Sequence, residues 1–397
     1  MKGWFKTLTS VFLMSGTCVV FYGMPSNGLA AEPVIIGIDA DFSSGSASAG
    51  EAIHRGALIA IAEINEKGGV LGGRKLELNL KDHHGSPTRS TDNLNDLSKE
   101  KNLVAVIGGL HSPAIIKNQD LIHRNRLIML DPWAAATAVV ENGKSPNYVF
   151  RVSVRDEYVG GFLVGQAVKQ GYKNLGLLLE KTDWGRGNEK YITVALSKLG
   201  RKPASVQWFY LGDTDMTTQL IAFEKAGADA VIMVANAPEG GAIVRHMALR
   251  PEKVRLPIIS HWGITGGNFR GSAGDGLKGV KLQFLQTYSF MNARGKKARE
   301  VINRYKTMFK AGSEREIMAP VGTAHAYDLV HILALAIDKA GTIDRAKVRN
   351  AMEKINSYSG LVKTYRPPFT PQRHEGLNAS DYHLAIYDRD GTIMPRR

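Results

Sequence analysis

"VAVIGGLHSPAIIKNQDLI", residues 104–122, sets the class of fold. It opens as a short apolar run of the kind that lies inside a parallel sheet. Gly108-Gly109 breaks the run, and after Leu110-His111-Ser112 apolar residues return as a helix, "AIIKNQDLI" (114–122). Pro113 suits a first helical turn, where its missing N–H is no loss, and Ser112 is then a natural N-cap. Strand, loop, helix is the repeating unit of an open parallel sheet, in which ligands sit beyond the C-terminal ends of the strands.

The same unit recurs along the chain. "VIIGI" (34–38) reads as a strand, and Ile53, Ala57, Ile61 and Ile64 mark a helix that Gly68-Gly69 ends. "KLELNLKD" (75–82) alternates, with Leu76, Leu78 and Leu80 on one face. Leu94 and Leu97 belong to a further helix, and "LIMLD" (127–131) and "YVFRV" (148–152) are strands. After residues 152–155 the rhythm restarts with "NLGLLLE" (174–180), "SVQWFY" (205–210), "ADAVIMV" (228–234) and "LPIIS" (256–260). Helices near 186–198, near 217–226 and from Glu239 alternate with these strands. The expectation is α/β, two lobes with parallel central sheets and helices on both faces. Residues beyond 280 fit neither series: a strand-like "KLQFLQTYSF" (281–290), long helices at 324–341 and 346–355, and a closing strand with an Asp-Gly turn at 382–393. A chain that crosses between the lobes more than once accounts for this.

A length of 397 residues, with 44% hydrophobic and 22% charged residues, fits two folded domains. The first thirty residues differ from the rest. Lys2 and Lys6 precede an apolar run from Val11 to Met24, and Gly28-Leu29-Ala30 offers small residues for cleavage. That is the layout of a secretory signal peptide over 1–30, too short in its apolar run for a good membrane span. Cys18 is the only cysteine, so cleavage leaves no disulfide, thiol nucleophile or cysteine metal ligand. The net charge of +14 is scattered, and without a helix-turn-helix or basic run no nucleic-acid partner is expected.

Each candidate motif has a plainer alternative. The N–H groups at the Ser112 turn suit a carboxylate, although a capping serine needs no ligand. Ser112 lacks the glycines of a nucleophile elbow, and no phosphate-loop pattern occurs. Asp82-His83-His84 hints at metal, but adjacent histidines on a strand end face opposite ways, and no metal is expected. No catalytic constellation or cofactor is implied. Trp133, Trp184 and Trp262 each follow a strand, which favours a lined cleft over isolated packing.

Taken in order, "VIIGIDADFSSG", "GALIAIAEINEKGGVLGGRKLELNLKD", "VAVIGGLHS", "LDPWAAA", "YVFRV" and "KTDWGRGNEK" resemble the type I periplasmic binding proteins, specifically the branched-chain (hydrophobic) amino acid binding family of ABC importers. The resemblance implies two Rossmann-like lobes joined by three hinge segments and closing like a flytrap. Lobe one would hold 33–152 plus 284–378, and lobe two 153–283 plus 379–397. It also implies that Ser112, with Leu110 and His111 beside it, holds a ligand carboxylate. The Ala134 carbonyl would accept from a ligand ammonium, and Trp184 stands where the family has an aromatic. Three positions depart from the pattern: the family's hydroxyl falls on Ala135, its acidic residue on Trp262 and its first-loop aromatic on Ala49.

The function expected is therefore a periplasmic, non-enzymatic solute-binding protein that delivers a small molecule to a membrane permease. With Trp262 in place of the acid, the expected ligand is a carboxylate or amide with an aromatic or bulky apolar body, ahead of leucine, isoleucine or valine. A ligand-sensing regulator on the same fold is the alternative, and the export signal argues against a cytoplasmic one. N-terminal sequencing of protein from the cell envelope should begin at Ala31 or Glu32. An intact Met1 there would overturn the export reading.

Overall fold

The computed structural model describes residues 1–4, 31–291 and 293–396, so nearly all of the expected leader lies outside the described residues. The chain divides into Met1–Ala31 and a main unit, Glu32–Arg397. In the main unit, β1 (Val34–Ala40), β2 (Leu76–Asp82), β3 (Leu103–Gly108), β4 (Ile128–Asp131) and β5 (Val149–Arg151) form a sheet of order β2-β1-β3-β4-β5. Every pairing in it is parallel. Four helical stretches connect these strands: α1 (Ala47–Glu66), α2 (Pro87–Ser98), α3 (Ser112–Lys117) and α4 (Gln119–Arg124).

A second sheet takes over after α5 (Asp156–Lys169). Its strands β6 (Leu175–Glu180), β7 (Ser205–Phe209), β8 (Ala230–Val234), β9 (Ile258–Ser260) and β10 (Leu282–Gln286) also run parallel. Between them come α6 (Asp183–Ser197), α7 (Thr217–Lys225), α8 (Ala237–Leu249), α9 (Phe269–Ala273) and α10 (Gly276–Gly279). The chain then returns to the first sheet's side with α11 (Lys296–Phe309), α12 (Pro320–Ala340), which packs along α1, and α13 (Arg345–Met352). A small hairpin follows, β11 (Tyr358–Ser359) with β12 (Thr364–Tyr365). Finally β13 (His383–Tyr387) and β14 (Ile393–Pro395) join the second sheet antiparallel, giving the order β14-β13-β10-β9-β8-β6-β7. The expected lobe division at 283/284 falls inside β10, whose pairing keeps Phe284–Gln286 in the second sheet.

The sequence pattern explains which strands are central. β3, β6 and β8 are buried throughout, as expected of continuous apolar runs covered on both faces. β2 lies at an edge. Of the three leucines expected on one face, Leu76 is buried and Leu80 is 40% exposed. The helix expected over 114–122 is two short ones broken at Asn118. The Asn118 amide donates to the Ala114 carbonyl (2.8 Å) and to Ser90 Oγ (3.2 Å), so its side chain competes with the regular ladder.

α1 and α12 meet through a glycine. A Cβ on Gly56 would stand 2.1 Å from the Thr323 carbonyl oxygen, whereas one on Gly161, in α5, would meet nothing within 4 Å. Gly56→Ala should therefore force the two helices apart and lower stability by about 1–3 kcal/mol. Gly161→Ala should be neutral or gain up to about 1 kcal/mol. Chemical denaturation of the two variants checks both signs, and equal stabilities would contradict this packing.

Candidate functional site

Loops following β1, β3 and β4 of the first sheet face loops following β6, β8 and β9 of the second, and together they line a cleft of about 420 Å³. The first loop is held by Asp41, whose carboxylate accepts from the N–H groups of Ser43 (3.2 Å), Ser44 (2.8 Å) and Ser46 (3.1 Å) and from the Ser44 hydroxyl. Burial opposes the charge on Asp41, but these bonds outweigh it and hold the carboxyl below its usual range. Ser44, Gly45 and Ser46 thereby reach the cleft.

Leu110, His111 and Ser112 line the cleft as expected, with a correction to the cap. His111 is the N-cap of α3, and Ser112 is its first helical residue. The Ser112 hydroxyl does not cap. Its oxygen accepts from the Ala136 N–H (3.1 Å), which leaves its proton free to donate. In this first turn Pro113 has no N–H and the Ala114 N–H donates to the His111 carbonyl (3.1 Å), which leaves the Ser112 N–H. Of the expected loop 133–135, Trp133 and Ala135 line the cleft and Ala134 does not. Ala134 is fully buried, and its carbonyl accepts from Arg151 Nη1 (3.0 Å), so the ammonium contact expected there is already taken. Ala135 brings a methyl group where the resemblance implies a hydroxyl, and its carbonyl accepts from the Asp156 N–H (3.0 Å).

All three expected tryptophans reach the cleft. Trp133 and Trp262 lie 5.8 Å apart between ring centroids, tilted by 52°, although they belong to different sheets. Trp184 packs edge-on against His261 at 5.0 Å. His261 is fixed in turn: its Nδ1 accepts from the Trp262 N–H (2.8 Å), and its Nε2 lies 2.9 Å from an Asp156 carboxylate oxygen. The indole N–H groups of Trp133 and Trp184 are buried without a partner. The histidines of "KDHHG" face opposite ways. His84 lines the cleft at a positive φ of 49°, while His83 is buried edge-on against His111.

Two carboxyl groups that the sequence reading passed over complete the wall. Glu180 ends β6, and its oxygens accept from the Thr182 hydroxyl (3.2 Å) and the Asn236 amide (2.9 Å). Glu239 lies in the first turn of α8, where one oxygen accepts from the Gly212 N–H (2.9 Å) and the other, Oε2, has no partner. Burial, and then the charge of Glu239, push Glu180 up to about 7. Among the described residues, no lysine or arginine lines the cleft. Two carboxyl groups, one at the end of β6 and one in the first turn of α8, thus line the cleft at positions other than Trp262. The signal was available: Glu180 is the charged end of the apolar run "LGLLLE", and Asn236-Ala-Pro-Glu239 opens a helix after a strand.

A family model described as a periplasmic binding protein matches residues 33–391. Among curated relatives, the Leu/Ile/Val-binding protein homolog 1 of Brucella abortus (strain 2308) is 26% identical over 359 residues, 90% of each chain. Two solved structures share the fold. One is the branched-chain amino acid transporter substrate-binding protein LivJ from Streptococcus pneumoniae with isoleucine, at a TM-score of 0.76 and 20% identity, covering 91% of this chain and 97% of that one. The other is a solute-binding protein of an ABC transporter from Rhodopseudomonas palustris HaA2 with p-hydroxybenzoic acid, at a TM-score of 0.77 and 16% identity, covering 92% and 96%.

The position of Glu180 makes stability depend on pH. Burial pushes its carboxyl from the ordinary value of 4.5 up to about 7, so between these values the folded state binds more protons and stability falls as pH rises. Glu180→Gln removes that cost. It should be more stable than the parent by about 1–3 kcal/mol at pH 8, taking roughly 1.4 kcal/mol per unit of pKa, and nearly equal to it at pH 5. Urea unfolding at the two pH values tests this, and a difference independent of pH would refute it.

Proposed function

This chain belongs to the periplasmic binding protein family, and from that premise we propose that it is an exported solute-binding protein of an ABC importer. It captures a small organic molecule between its two lobes and presents the closed form to a membrane permease. In this reading residues 1–30 are a cleaved leader that directs the chain to the periplasm. Lobe one is 33–152 plus 287–378, and lobe two, which keeps all of β10, is 153–286 plus 379–397. The relatives are named as binding proteins, which supports capture without turnover.

The observation that carries the proposal is one cleft walled by strand-end loops of two separate sheets. Its rim supports a closing motion. The Ala49 N–H donates to the Gly266 carbonyl across the rim (2.9 Å), and a Cβ on Gly267 would stand 2.1 Å from the Gly45 carbonyl oxygen. A molecule that touches both walls only when they meet favours the closed state by the contacts it gains there.

Ser112, through its hydroxyl and its own N–H, suits a carboxylate or carbonyl oxygen. Trp133, Trp184 and Trp262 offer flat apolar surface with two free indole donors, which suits an aromatic or bulky apolar body. Leu110, His111 and Ala135 complete that wall.

Tryptophan fluorescence titrated with branched-chain amino acids and with aromatic acids and amides should saturate with a member of the aromatic set first. For the tightest binder, Ser112→Ala should weaken binding about ten- to hundredfold, the loss of one charge-assisted hydrogen bond of about 1.5–3 kcal/mol. Stability should fall by only about 1 kcal/mol, from stranding the Ala136 N–H. Unchanged affinity in calorimetry would remove Ser112 from the site.

A further inference from the structure

Among the described residues, three sets of ion pairs run from one lobe to the other. Arg155 meets Glu141 at 2.9 Å, and Lys363 meets Asp381 at 2.7 Å. Arg155 and Asp381 stand a few residues past the points where the chain crosses between lobes. Rotation about a hinge displaces a group in proportion to its distance from the axis, so these two pairs move little. The third set lies farther along the chain on both sides. Arg315 donates to Asp388 and lies 3.2 Å from a carboxylate oxygen of Asp390. Arg315 belongs to the short turn Glu314–Glu316 that precedes α12, the helix packed along α1. Asp388 and Asp390 belong to the turn between β13 and β14, in the second sheet.

Both halves of this contact are braced within their own lobe. Asp388 Oδ1 accepts from the N–H groups of Asp390 (3.0 Å) and Thr392 (2.9 Å), which leaves Oδ2 for Arg315. Gly391 closes that turn at a φ of 79°, and Arg270 of α9 fastens it by donating to the Asp390 carbonyl. Burial opposes the charge on Asp388, but Arg315 and the turn N–H groups outweigh it and hold the carboxyl below its usual range. On the other side, the Gly312 N–H donates to the Glu316 carboxylate (3.1 Å) and steadies the segment that carries Arg315. Arg315, Arg270 and Gly391 line a cavity of about 350 Å³ that shares no lining residue with the ligand cleft. Ser48 and Gly267 line it too, beside the rim contact of Ala49 with Gly266. The ion pairs and the rim contact therefore bridge the lobes around one cavity.

We propose that Arg315, Asp388 and Asp390 form an interlobe latch, an ion-pair contact that is made when the lobes meet and broken when they part. It favours the closed form by an electrostatic contribution that does not depend on which molecule is captured. The side chains of Arg315 and Asp390 are 37% and 78% exposed, so salt screens the latch and shifts the lobes toward the open form. The latch rests on the solute-binding reading and adds ionic strength as a control on closure.

Cys18, in the expected leader, is the only cysteine, so labels can be placed on the mature chain at will. Asp92→Cys on α2 and Thr218→Cys on α7 put one exposed spin label on each lobe. Pulsed electron–electron resonance then reads the long-distance (open) and short-distance (closed) populations at low and at molar salt. At low salt, Arg315→Gln and Asp388→Asn should each raise the open-to-closed ratio about three- to tenfold over the parent. Molar salt should raise the parent's ratio by a similar factor and leave that of Arg315→Gln within about twofold. Lys339→Gln, which removes an exposed charge elsewhere on lobe one, should match the parent. Circular dichroism checks that every variant folds. Ratios that agree within about twofold among the parent, Arg315→Gln and Asp388→Asn would overturn the latch, as would an equal shift in Lys339→Gln. Retention from a bacterial metabolite extract is scored separately by mass spectrometry. A parent that retains no small molecule would overturn the solute-binding reading, whatever the distances show.

Discussion

Arg151, with its side chain wholly buried, ties together three segments far apart in sequence. Its Nε and Nη2 donate to the Glu375 carboxylate (2.8 and 2.5 Å), and its Nη1 donates to the carbonyls of Ala134 and Ala136 (3.0 and 2.9 Å). Asp131 lies 4.0 Å away and accepts from the N–H groups of Trp133 and Ala134 (2.9 and 2.7 Å). The loop that presents Trp133 and Ala135 to the cleft is thereby set from below. Its Ala136 N–H then sets the Ser112 hydroxyl on the neighbouring loop. Removing one partner from such a buried pair strands the other and costs about 3–5 kcal/mol, far more than an exposed pair contributes. Burial pushes Asp131 up to about 7 even beside this guanidinium.

The same cation sits where the chain passes between the sheets. Arg151 ends β5, and its backbone exchanges hydrogen bonds with the returning segment, N–H to the His374 carbonyl (2.9 Å) and carbonyl from the Gly376 N–H (2.7 Å). Asp156, a few residues on, connects the Ala135 carbonyl to His261 and so to the Trp262 loop of the other sheet. Loops on the two sides of the cleft are therefore fixed through the crossing segments as well as through their own strands. At the rim Gly267 approaches the Gly45 carbonyl closely, Leu110 lies against Gly266 and Pro238 against Gly45.

Most of the architecture was legible in the order of the residues. Buried strands such as "VAVIGG" and "LGLLLE" announce themselves because both faces are covered, and the rule that ligands sit beyond C-terminal strand ends pointed to Ser112 and the three tryptophans. Edge and break positions were less legible. Leu80 has the spacing of a buried residue, yet it is 40% exposed on an edge strand. Asn118 lies within a helical pattern, and only its partners on α2 and α3 reveal the break.

By itself the sequence determined the class of fold, the alternation of strands and helices and the loops that face the cleft, because these follow from local periodicity and from where glycine and proline can stand. Tertiary structure alone decided which polar atoms are left over once the chain has folded. The Ala134 carbonyl belongs to Arg151, seventeen residues on, and the Ser112 oxygen to Ala136, so neither is wholly free for a ligand. Glu239 Oε2 and Asn236 Oδ1 are free because Gly212 and Glu180 occupy only their companion atoms. A hydrogen bond is a property of two groups brought together in space, and residues distant in sequence give no local sign of which of them will meet.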